Sequence, residues 1–222
     1  MTRAAWLAAF GLLLAAAGTV AQAQVSASAS VTSDFRYRGI SLSGGEPAFS
    51  MAANFDTLWG GYAGVSLAQA RMRYTQIDAQ ALVYAGFAGR LGATGSWDVG
   101  MTDTRYRGSA RYNYREIYLG VSAQRLNARI YTAAHYFGVG KRSIYAEVNG
   151  SYRLSDNLDL VGHAGYLARP EKRLDLRIGL SAALETWTVQ LAWAATRDEA
   201  PLYTALYTKH PRQGVLSVTR AF

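Results

Sequence analysis

Three histidines, His135, His163 and His210, are the first candidates for chemistry in this chain. A histidine next to a serine can act as general base on the hydroxyl. The spacing offers one such pair, His135 with Ser143 near a chain reversal, and it lies in no nucleophile motif. Separated histidines without any cysteine give no metal-ligand spacing, so neither a metal nor a cofactor is expected. Ser43-Gly44-Gly45 falls in a connection and does not fit a phosphate-binding loop. The residue types point away from catalysis.

The other chemistry on offer is electrostatic. The chain carries 23 Lys and Arg against 15 Asp and Glu, a formal net charge of +8. One charged set, Asp78, Glu116, Arg129, Glu147, Asp175 and Arg177, falls on the polar phase of alternating segments, where it would line an interior. A second set, Arg38, Arg71, Arg73, Arg105 and Arg107, gathers near segment ends and would make a basic outer mouth. A basic excess can serve nucleic acid, an anionic membrane surface or an acidic solute. Here the cations are spread over many connections rather than one helix or groove, which argues against nucleic acid. The expected partners are a lipid bilayer, the phosphates of lipopolysaccharide and a small anionic solute.

A beat of two residues must position those groups. Leu174, Leu176, Ile178 and Leu180 alternate with Asp175, Arg177, Gly179 and Ser181; Trp187, Val189, Leu191 and Trp193 alternate with Thr188, Gln190, Ala192 and Ala194. A period of two means strands with one apolar and one polar face. Twelve such strands are expected, near 25–35, 47–57, 61–70, 76–88, 95–104, 113–124, 127–137, 143–153, 158–168, the two runs 174–181 and 187–194 just quoted, and 213–222. Their lengths suit tilted membrane strands of about 9–11 residues. No later stretch is long and apolar enough for a membrane helix, and a barrel would not need one. Before the strands, Arg3, the apolar run 4–20 and Ala21-Gln22-Ala23 read as a signal peptide over 1–23, leaving a barrel domain over 24–222.

The connections and aromatics give the barrel two ends. Short connections at 58–60, 89–94, 125–126, 154–157 and 184–186 read as periplasmic turns, and long ones at 36–46 and 197–212 as outer loops. Trp59, Trp97, Trp187 and Phe222 fall at the turn end; Tyr37, Tyr74, Tyr106, Tyr112, Tyr136 and Tyr166 fall at the other, as two interface girdles would. Arg220 interrupts the apolar face of the last strand, and is expected to snorkel to the periplasmic interface.

The stretch Val31-Thr-Ser-Asp-Phe-Arg-Tyr-Arg-Gly-Ile-Ser-Leu-Ser-Gly-Gly-Glu-Pro-Ala48 resembles the N-terminal signature of the TorF-like porins, a proteobacterial outer-membrane family also carried as Gcw_chp. Phe55-Asp56, Gly61-Tyr62-Ala63-Gly64-Val65, Tyr84-Ala-Gly-Phe87, Tyr118-Leu-Gly-Val121 and Ile144-Tyr-Ala-Glu-Val148 extend the likeness over the rest of the chain. The resemblance implies a barrel in the outer membrane of a Gram-negative bacterium, and a channel. It carries over no catalytic or ligand residues. Arg71-Met72-Arg73-Tyr74 departs from the family's pattern in being strongly basic.

The fold expected is thus all-β: a single transmembrane antiparallel up-and-down barrel of about twelve strands. The function expected is a porin or small-solute channel with a basic mouth and a mixed-charge lumen. Two other classes remain open. One is a non-conducting barrel that anchors, adheres or scaffolds; the other is a lipid-modifying barrel enzyme with His135 and Ser143 at its rim.

Overall fold

The computed structural model describes residues 23–72, 74–199 and 210–222. All but the last residue of the expected signal peptide, and Arg73, lie outside the described residues. Strands β1 (Ala23–Thr32), β4 (Ala48–Thr57), β5 (Gly61–Gln69), β6 (Ala79–Leu91), β7 (Gly95–Arg107), β8 (Tyr114–Ala123), β9 (Leu126–Tyr136), β10 (Lys141–Ser155), β11 (Leu158–Arg169), β12 (Arg173–Leu184), β13 (Trp187–Asp198) and β14 (Arg212–Ala221) pair antiparallel with their neighbours. Between β1 and β4 stands a separate hairpin, β2 (Arg36–Tyr37) and β3 (Ile40–Ser41).

The barrel closes where β1 meets β14, from Ser28 opposite Ala221 to Thr32 opposite Ser217. Closure leaves no strand edge, so backbone donors and acceptors are satisfied within the sheet, as hydrocarbon demands. The two-residue beat sorts side chains by face. Ile117, Leu119 and Val121 of β8 point out and are exposed, while Tyr114, Glu116 and Tyr118 point in and are buried. The same holds on β12, where Leu174, Leu176, Ile178 and Leu180 face outward. Large apolar side chains on the outside and polar ones within invert the soluble pattern, which is the arrangement a lipid surroundings stabilises.

The turn end carries its aromatic band. Trp59, Phe87 and Trp97 stack side by side, with ring centroids 5.8 and 6.1 Å apart. Arg220, the cation that interrupts β14, lies over Trp187 at 5.4 Å and over Phe222 at 5.0 Å. Its charge is thereby spread over two aromatic faces at the membrane boundary.

The opposite end differs from a girdle. Tyr37, Tyr106, Tyr112 and Tyr136 belong to an apolar core inside the barrel, together with Ile40, Leu42, Met72, Ile77, Tyr114, Phe137 and Leu167. Of the six tyrosines expected there, only Tyr74 and Tyr166 are exposed. The cause is the connection 33–47. It folds into the barrel instead of outward, and gives the inward tyrosines something to pack against.

Candidate functional site

The inserted hairpin turns at Arg38 and Gly39, both with positive φ, 48° and 78°. Two left-handed residues in a two-residue loop make the turn whose twist fits a tight hairpin. Gly39 is needed twice over. A Cβ there would lie 2.7 Å from Thr196 Oγ1 and 2.8 Å from Asp175 Cβ, so the tip abuts the far wall. The Thr196 hydroxyl donates to the Gly39 carbonyl at 2.9 Å.

Arg38 is the clamp. Its guanidinium donates two bonds of 2.7 Å to the Glu116 carboxylate, and both side chains are almost wholly buried. It also lies over the rings of Tyr145 at 4.3 Å, Tyr131 at 4.8 Å, Tyr37 at 5.1 Å and Tyr136 at 5.8 Å. A desolvated guanidinium with a bidentate carboxylate and four π faces has its charge neutralised on every side. The Tyr37 phenol, part of the same hairpin, is pushed up to about 12 by burial.

A second buried carboxylate organises the hairpin's base. Asp34 accepts from Arg36 Nε at 2.6 Å, Gln213 Nε2 at 2.6 Å and Ser43 Oγ at 3.1 Å, and from the Ser41 hydroxyl. Arg36 in turn donates to the His210 carbonyl. From the neighbouring connection the Arg71 amide donates to the Leu42 carbonyl at 2.6 Å. The hairpin is therefore tied to β8, β13, β14 and a second loop.

Beneath it lies a chamber of about 610 Å³ inside the barrel. Tyr62, Tyr84, Tyr118, Tyr131 and Tyr145 line it. The Tyr62 and Tyr118 hydroxyls are 2.7 Å apart, and Tyr62 donates to Asp98 at 3.1 Å. Arg129 pairs with Asp98 at 3.1 Å and lies over Tyr118 at 5.2 Å. Glu147 accepts from the Tyr131 hydroxyl at 3.1 Å. His163 bridges Asn149 Oδ1 and Asp175 Oδ1, each at 2.7 Å, and Tyr145 donates to Asp175 at 3.2 Å. Arg177 also lines the chamber, exposed and without an ion-pair partner among the described residues.

Five of the six charges placed in the lumen by phase, Glu116, Arg129, Glu147, Asp175 and Arg177, do point inward. Asp78 does not. The chain enters β6 only at residue 79, so Asp78 sits on the outer rim, bound by Arg107 at 2.6 Å. That guanidinium holds the Asp78 carboxyl below the usual carboxylate range.

The basic mouth needs a larger correction. Arg38 is inside, because its loop folds in. Arg105 shares the outward phase of Met101 and pairs with Asp103 at 3.1 Å. Arg107 likewise faces out. These two decorate the outer wall, not the opening. Arg71 is exposed in its loop, and Arg73 lies outside the described residues.

His135 and Ser143 part company at a register shift between Lys141 and Ser143. Ser143 points in, fully buried, and accepts from the Ala133 amide at 3.3 Å. His135 points out, with Nδ1 3.4 Å from the Gly140 carbonyl. No nucleophile–base pair forms from them.

Over residues 16–222 the sequence matches the family model described as a bacterial protein of unknown function, Gcw_chp. The chain belongs to the Gcw_chp family. Residues 31–48, within the matched span, are the inserted hairpin with its flanks. No curated protein matches the sequence. Among solved structures the barrel is similar to the KdgM porin, with a TM-score of 0.61 at 10% identity, covering 89% of this chain and 99% of that one. A second KdgM structure, in complex with disordered oligogalacturonate, gives 0.59 at 11% identity, covering 89% and 98%. At this identity the likeness establishes the fold: a closed twelve-stranded barrel of the porin type.

Proposed function

We propose that this Gcw_chp protein is an outer-membrane channel for small polar solutes, anionic ones in particular, with the β2–β3 hairpin controlling passage. The observation that carries this reading is the chamber itself: a polar, tyrosine-lined volume inside a lipid-facing barrel, with a clamped hairpin across its outer side. A barrel serving only as an anchor has no need of an interior so rich in paired charges and solvated groups. Toward the turn end the inward-phase residues Asp56, Arg90 and Arg153 are exposed, so the lumen opens there.

An anionic solute would meet Arg177 as an available guanidinium, since Arg38 and Arg129 already hold carboxylates. Tyrosine faces beside it suit the apolar face of a sugar ring. The KdgM porin, similar in fold, has been solved in complex with oligogalacturonate, which agrees with a carboxylated, hydroxyl-rich solute.

Purified, refolded protein in planar bilayers tests this reading. Channel events are expected, with an anion preference that Arg177→Glu weakens or reverses. Absence of events from a correctly folded barrel would favour the second reading, a non-conducting barrel. The apolar core around Ile40, Leu42 and Met72, which fills the outer part of the lumen, is the observation on that side.

A further inference from the structure

The outside of the barrel is not uniform. On β1, β4, β5 and β6 the outward residues toward the loop end are Val31, Phe49, Leu67 and Ala79, all uncharged. The wall formed by β8 to β12 is different in shape and in charge. It contains an apolar groove of about 490 Å³. The groove exists because small residues alternate with large ones across three strands. Ala146 of β10 stands between Ile130 and Tyr166, and Val148, two residues on, stands between Ala128 and Ala164.

One row closer to the loop end, Ile144 stands between Thr132 and Arg169. Arg142 reaches over this row to donate to the Thr132 hydroxyl at 3.4 Å. Arg142 and Arg169 are both exposed. Neither has a carboxylate partner among the described residues, whereas Arg105 and Arg115 share Asp103, Arg107 holds Asp78 and Lys172 holds Glu199. An arginine on the lipid face costs about 2–4 kcal/mol at mid-membrane and little near the boundary, so this pair belongs at headgroup depth. Unpaired guanidiniums there match phosphate, with which they form short charge-assisted bonds.

We infer that this wall is a binding site for a phosphorylated, multiply acylated glycolipid of the outer leaflet. An acyl chain fills the groove over Ala128, Ala146 and Ala164, and a phosphate rests on Arg142 and Arg169. The ligand is taken from the outer leaflet because both arginines lie at the loop end of their strands. The inference rests on the outer-membrane reading of the barrel and is independent of whether the lumen conducts.

Native mass spectrometry of the folded full-length protein tests it, with bisphosphorylated lipid A, dephosphorylated lipid A, phosphatidylglycerol and phosphatidylethanolamine as probes. The wild type should retain bisphosphorylated lipid A most tightly. Arg142→Gln with Arg169→Gln should weaken that binding by about tenfold or more, the loss expected for two charge-assisted contacts. It should leave the dephosphorylated lipid unchanged. Ala146→Ile with Ala164→Ile, which fills the groove, should weaken both lipid A forms. Arg105→Gln with Arg115→Gln is the control for general rim charge and should change neither. Equal binding of phosphorylated and dephosphorylated lipid A, a preference for phosphatidylglycerol, or wild-type retention in the Arg142/Arg169 variant would overturn the inference. Fractionation of the wild type away from the outer membrane would instead overturn the reading beneath it.

Discussion

Replacing Glu116 by glutamine should unlatch the hairpin, and the structure sets the size of the effect. The Glu116 side chain is fully buried and that of Arg38 is 5% exposed, so the variant leaves a desolvated cation without its counter-charge. Breaking a buried pair in this way costs about 3–5 kcal/mol. The cost falls on the docked hairpin alone, because a swung-out Arg38 is hydrated. Opposing release are Ile40 and Leu42, 2% and 1% exposed, each worth about 1.5–3 kcal/mol of burial. The four aromatic faces around Arg38 add to that side, and so does the Asp34 hub. The terms are comparable, so Glu116→Gln alone should give frequent brief openings rather than a permanently open lumen. Adding Leu42→Ala removes about 2–5 kcal/mol more and should tip the balance. That total corresponds to a population shift of three orders of magnitude or more, at about 1.4 kcal/mol per tenfold. Single-channel recording reads the open fraction, and the heat-modifiable mobility of the barrel on gels checks that each variant is folded. The double variant conducting no more than the wild type, with the folded band intact, would refute the claim that the Arg38–Glu116 clamp and Leu42 hold the hairpin across the path and limit conduction.

Further outcomes follow from the same contacts. Gly39→Ala forces an L-residue to a φ of 78° and presses a methyl against Thr196 and Asp175. The strain, about 1–2 kcal/mol before the overlap, should displace the hairpin and raise conductance without lowering barrel yield. Asp34→Ala strips a shared acceptor from Arg36, Gln213 and two serines, and should expose the loop to trypsin at Arg36 and Arg38 in outside-added digests. Unchanged resistance to trypsin would mean that the hairpin stays docked without that hub. Arg220→Ala should cost about 0.5–2 kcal/mol through loss of its two aromatic faces, read as a lower urea midpoint of the barrel in vesicles.

Much of the fold was legible in the residue order, because side-chain phase is a local property. Leu174-Asp175-Leu176-Arg177 can be half-buried only as a strand, and the twelve expected strands correspond to the twelve that close the barrel. Glu116, Arg129, Glu147, Asp175 and Arg177 were readable as inward for the same reason. Phase failed where the chain leaves the ladder. Asp78 sits one residue before β6 begins, and His135 lies beside a register shift, so counting by twos carried both to the wrong face.

The connection 33–47 marks the deeper boundary between what the sequence by itself determined and what only the tertiary structure decided. Its charges, serines and glycines, Ser33-Asp34-Phe35-Arg36-Tyr37-Arg38-Gly39, read locally as a solvated outer loop. Whether such a loop turns out or in depends on partners distant in sequence. Arg38 finds Glu116 78 residues away, and Asp34 finds Gln213 179 residues away. No local rule makes a polar loop bury itself. Only closure of the barrel brings β8, β12, β13 and β14 around it, and a buried charge becomes stable once its counter-charge is already fixed on the wall. Strand number, sidedness and the lipid-facing surface are thus written in the two-residue beat. The docked hairpin, the tyrosine cage and the groove between Ala146 and Tyr166 exist only because the strands meet in this register.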